Sequence, residues 1–259
     1  MGHNRLGRLP KYVRWNQVVA LLDTAPTHVQ PLAAATALAA DRYFRTLAGD
    51  PSLAYCFWLL ARVTWAARSE DFTAELSSLG VSVDADVPAI GFIASLSDHV
   101  RIRLAQNPGS GPVSELASLA LRRALTETVG IRERNLFGSR LEDLQHAFRT
   151  YSTQHHFSDV AQRFFGDFMA RTLRSYIDRE LANHVGPGNP LATVTAGSEF
   201  IRALDLHTRQ AAAIVHEFAG SWYSKHNWTS RGAITQEEAQ GFVAVALRKL
   251  RSELKRDEP

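Results

Sequence analysis

Apolar positions along this chain recur mostly three and four residues apart, the spacing of an α-helix buried along one side. Near the C-terminus Val243, Ala246, Leu247, Leu250 and Leu254 keep that spacing. Arg248, Lys249, Arg251, Lys255 and Arg256 fall on the opposite face of the same helix. Phe157, Val160, Phe164, Phe168, Ile177 and Leu181 form a wider stripe on a second long helix, which Gly186-Pro187 should stop.

The helix starts are written in polar residues. Asp50-Pro51 places a capping carboxylate before a proline at the first helical position, predicting a hydrophobic helix to about Arg68. Thr27–Gln30, Ser139–Glu142 and Thr235–Glu238 each read as a capping box. The first opens an Ala-rich helix ending near Gly49, and a further helix is expected to begin near Ser198. Only residues 81–87 alternate like a strand, Pro88 ends them, and one short strand cannot make a sheet, so they are expected as an ordered loop.

These signals predict an all-α fold, an irregular multi-helix bundle. The Pro/Gly-rich stretch Asn107–Pro112 divides it into two helical subdomains sharing a core. Residues 1–107 form an N-terminal half with a basic arm, and residues 113–259 form a C-terminal half. The turn at Gly186–Pro190 separates two helices of the second half.

Composition narrows this picture. The 259 residues are 45% hydrophobic and 21% charged, ordinary globular usage with enough length to bury a full core. A single cysteine, Cys56, excludes an internal disulfide framework and sits in an apolar run, where an inert buried thiol is expected. Residues 1–11 are polar and basic, no signal-peptide core follows them, and Asp41 and Arg62 interrupt the most apolar segments. A cytoplasmic protein without a membrane segment is therefore expected. The formal charge of +3 comes almost entirely from arginine, with lysine only at Lys11, Lys225, Lys249 and Lys255. Such a balance permits nucleic-acid binding without arguing for it.

The nucleotide and hydrolase signatures are absent: no P-loop, no GxGxxG, no GxSxG elbow, no HExxH and no kinase set. No cofactor, catalytic residue or metal ligand is assigned on sequence grounds. Glu142/His146 and Glu180/His184 pair a carboxylate with an imidazole four residues apart, whereas helical di-metal sites use a three-residue step. His155-His156 precedes Asp159 within a turn, and in a separate group His207 and His216 flank an Ala-rich helix that also carries Glu199, Asp205 and Glu217.

One segment, Phe218–Gly232, concentrates Trp222, Tyr223 and Trp228 with Lys225, His226 and Arg231, and is expected to be a loop between helices. Aromatic and cationic groups so mixed are the anchor types of protein interfaces, and they also stack on bases while neutralising phosphate. A structural role, the aromatics stapling the last helix to the core, is the competing reading. Arg5, Arg8 and Lys11 in the N-terminal arm are the other candidate partner-binding residues.

Three stretches considered together carry a family resemblance. They are Gly2–Pro10 with Trp15 and Val18-Val19, then Arg179–Gly188, then Phe218–Lys225 with Gly241–Leu247. The combination resembles a family of uncharacterised bacterial helical proteins found in defence or mobile-element operons. The resemblance implies a bacterial origin and carries no catalytic residue. The favoured functional reading is a non-enzymatic helical adaptor that docks another protein of the same operon or pathway. The alternatives are a nucleic-acid-binding protein using its basic and aromatic surface, and a metal-dependent hydrolase or nuclease built from the histidine and carboxylate clusters.

Overall fold

A computed structural model describes residues 35–36, 38–83, 88–106, 111–132, 141–184 and 194–254. Every regular element among them is helical: α1 Asp41–Leu47, α2 Pro51–Ala66, α3 Phe72–Ser78, α4 Ala89–Ala105, α5 Pro112–Thr126, α6 Val129–Arg132, α7 Leu141–Thr150, α8 Gln154–His184, α9 Val194–Ala211, α10 Ala213–Thr229 and α11 Gln236–Glu253. The fold is an all-α multi-helix bundle. No helix among the described residues is long and apolar enough to cross a membrane.

The helix starts obey their sequence signals where they lie within the described residues. Asp50 Oδ1 accepts from the backbone N–H groups of Ser52 and Leu53 at 2.8 and 3.1 Å, which opens α2. At α11 the Thr235 hydroxyl accepts from Glu238 N–H at 3.1 Å, while Glu238 Oε2 accepts from Thr235 N–H at 2.7 Å. Those two bonds satisfy donors that a helix N-terminus leaves without partners. The backbone hydrogen bond from Thr235 is also the main reason the Glu238 carboxyl lies below its ordinary value. The box at Thr27–Gln30, Ser139 of the second box, and the Gly186–Pro190 turn lie outside the described residues. Residues 81–83 have no regular structure, and α9 begins at Val194, four residues before the expected start at Ser198.

The core is built around α2. Twelve of its sixteen residues are buried, because α5, α7, α8 and α11 pack on it and the aromatic side chains of α10 reach it. Phe57 of α2 is the aromatic hub. It stacks on Phe242 of α11 at 4.5 Å between centroids and meets Phe165 of α8 and Trp222 of α10 at 5.4 Å. One continuous buried cluster thus contains residues from both sides of the Asn107–Pro112 stretch. Cys56 is fully buried beside Phe57, and burial, aided by the Asp50 charge, pushes its thiol far above the ordinary range. A thiol kept protonated in this way is a packing residue rather than a nucleophile.

The longest element, α8, has 31 residues, about 46 Å at 1.5 Å per residue. Its buried face presents Phe157, Phe164, Phe165 and Phe168, and its neighbours are α5, α9 and α10. Along one side, five arginines share three carboxylates. Arg123 and Arg163 reach Glu127 at 2.7 and 3.2 Å, with Arg209 at 3.9 Å. Arg123 and Arg171 both pair with the buried Asp167, and Arg174 pairs with Asp205 at 2.9 Å. Partial burial alone would raise the Glu127 carboxyl, but the Arg123 hydrogen bond and the surrounding guanidinium charges outweigh it and hold the group below its ordinary value. This network joins α5, α8 and α9 across their polar edges.

Candidate interaction surface

The segment expected to be a loop is not one. Phe218–Thr229 is the second half of α10, and only Ser230–Gly232 turns out of the helix. The correction has a physical reason: Ala219, Trp222, Tyr223, His226 and Asn227 recur at helical spacing, so their bulk is a buried stripe rather than a loop decoration.

Helical geometry sorts the six residues of this segment into two groups. Tyr223 is 1% exposed. Its ring stacks on Phe157 at 3.8 Å, and its hydroxyl lies 3.2 Å from Thr64 Oγ1. Burial pushes the phenol well above its ordinary range. Trp222 is half-buried, 4.7 Å from Phe242 and 5.4 Å from Phe57. His226 rests on the Trp222 ring at 4.8 Å, and its Nδ1 is 2.8 Å from the Trp222 carbonyl oxygen. These three residues hold α10 and α11 to the core.

Lys225, Trp228 and Arg231 lie on the other side, and all three are exposed. Trp228 is 85% exposed, the most exposed of the large apolar side chains among the described residues. A single exposed ring is ordinary on a protein surface; this one is a candidate anchor because exposed Lys225 and Arg231 stand three residues to either side of it. Arg5, Arg8 and Lys11 lie outside the described residues.

The turn after α10 forms the next part of the surface. Arg231 and Gly232 both adopt positive φ, 49° and 85°. Gly232 N–H donates to the Asn227 carbonyl at 2.9 Å, which closes the helix end. Only glycine fits at position 232: a Cβ there would lie 2.0 Å from Trp65 Nε1. The turn therefore sits directly on the Trp65 indole, and the two together border an open cleft of about 380 Å³ lined by Arg62, Trp65, Arg68, Glu75 and Arg231. Arg68 lies over the Trp65 ring at 4.6 Å and is fixed by donating to Ser152 Oγ at 2.9 Å and Ser152 O at 2.8 Å. Three guanidinium groups against one carboxylate make this cleft cationic, and Trp65 gives it an aromatic wall. Sequence reasoning missed Arg62, Trp65 and Arg68, which lie more than 150 residues before Arg231. The one available signal was arginine at 62 within, and at 68 just beyond, an otherwise buried helix.

The histidine and carboxylate pairs also sort themselves. His146 is exposed on α7, and the Glu180 and His184 side chains lie outside the described residues. His207 is buried in α9. His155, Asp159 and His216, which the sequence placed in two separate groups, come together between α8 and α10. The chain matches no known family model, no curated protein and no solved structure.

Proposed function

We propose that this protein is a cytoplasmic, non-enzymatic helical adaptor of a bacterial pathway, and that it docks an acidic surface of a partner protein at the end of α10. The observation that supports this reading is the exposure of Trp228 between Lys225 and Arg231, on a helix whose inner face is locked in the core. An aromatic anchor rimmed by cations is the residue combination that dominates binding energy at protein interfaces. The arginine-lined cleft beside Gly232 extends the same cationic surface.

The cleft also favours a second reading, in which a single-stranded nucleic acid stacks on Trp228 or Trp65 and its phosphates meet Arg62, Arg68 and Arg231. The experiment that separates the two readings is capture from the native host by the full chain, with and without nuclease. A protein partner that survives nuclease and is lost with Trp228→Ala supports the adaptor. Capture that disappears on nuclease treatment, with affinity for single strands falling steeply with salt, favours nucleic acid.

A further inference from the structure

We propose that His155, Asp159 and His216 form a binding site for a divalent transition-metal ion, zinc in the first instance, that clamps α10 onto α8. Each residue offers one ligand atom, and these three atoms all lie within 4.8 Å of one another. His155 and Asp159 are one helical turn apart at the start of α8, and His216 reaches them from the first turn of α10. Two imidazole nitrogens and one carboxylate oxygen are a donor set suited to zinc, leaving one position open.

The geometry is close to what an ion requires. Tetrahedral ligands on zinc bonds of about 2.0–2.1 Å stand roughly 3.3 Å apart. His216 Nε2 and Asp159 Oδ1 are already 3.1 Å apart. The His155 and His216 rings meet at 5.4 Å between centroids and 83°, and rotation of the exposed His155 ring would shorten the other two edges, now within 4.8 Å, to that spacing.

The backbone holds these residues in place independently of any ion. One turn beyond His216, Gly220 brings α10 into backbone contact with α8: a Cβ on it would lie 2.1 Å from the Gln154 carbonyl oxygen and 2.6 Å from Ser158 Oγ. Gly220 N–H donates to Ser158 Oγ at 2.9 Å, and Gln154 Nε2 donates to Ser221 Oγ at 3.2 Å. Gln154 and Ser158 directly precede the two α8 ligands, so this contact fixes His216 against them. Asp159 also lines a cleft of about 200 Å³ with Gln162, Arg163, Gly166 and Arg209. The remaining coordination position thus has access to water or a small anion from a cationic wall. The proposal does not depend on the docking reading, since it concerns the opposite end of α10 from Trp228.

The test uses the full chain without a histidine tag, stripped by chelator and titrated calorimetrically with zinc alone. One zinc per chain is expected, with a rise in thermal midpoint on loading. His155→Ala, Asp159→Asn and His216→Ala should each weaken binding by about tenfold or more. His155 and Asp159 lie at the surface, so these two variants remain folded, as circular dichroism will check. His146→Ala, on a different helix, should bind like the parent, and cobalt should give the visible absorption of a tetrahedral site in the parent and in His146→Ala but in none of the three ligand variants. Absence of saturable binding overturns the proposal. So does zinc binding that survives all three substitutions, or that His146→Ala weakens equally.

Discussion

Trp222 and Trp228 are six residues apart on one helix and are expected to behave oppositely. Trp222 packs against Phe57 and Phe242, so Trp222→Ala removes part of the core and should cost about 3 kcal/mol. Trp228 is 85% exposed, and Trp228→Ala should change stability by no more than about 0.5 kcal/mol. Urea unfolding of the two variants checks both figures. Gly220 makes a similar case at the backbone. Gly220→Ala would force a methyl group into the Gln154 carbonyl, and overpacking of this kind should cost about 1–3 kcal/mol. The same change should also weaken zinc binding, because it separates His216 from the two α8 ligands. At this scale the sequence was only partly legible. It marked the aromatic and cationic types between Trp222 and Arg231, but not which of them point inward, since composition carries no direction until a helix axis is assigned.

Among the elements, what the sequence disclosed were the helix starts and stripes, because caps and 3.6-residue spacing are local. The Asp50 cap, the Thr235 capping box and the phenylalanine stripe of α8 all form as their residues imply. Treating Phe218–Gly232 as a loop overlooked the helical spacing of its buried residues, Gly220 among them. In the fold that glycine is the point where α10 touches α8. Contacts between elements were not legible. His216 lies 57 positions beyond Asp159, and only the α8–α10 packing unites it with Asp159 and His155. The arginine network joining α5, α8 and α9 makes a prediction about pH. Glu127 is held below its ordinary value in the fold, so it gives up its proton more readily there than in the unfolded chain. Its contribution is complete above the usual carboxylate range near pH 4 and is lost as pH falls below it. Stability measured by urea unfolding should therefore decline on acidification through that range, and Glu127→Gln should flatten that part of the profile. An unchanged profile would mean that the network adds nothing to folding.

For the whole molecule, one buried cluster containing α2, α5, α8, α10 and α11 carries both candidate sites on its outer faces. Docking residues and structural residues alternate along α10, which is why a surface patch and a core staple share one stretch of sequence. The account's central claim is that the outer residues of this helix serve a partner while the inner ones serve the fold. The most direct test measures partner capture and thermal unfolding together for the parent, Trp228→Ala and Lys225→Glu. The account predicts parental melting in both variants with loss of the nuclease-resistant protein partner. Full capture by both variants, or a large drop in melting temperature with Trp228→Ala, would contradict it.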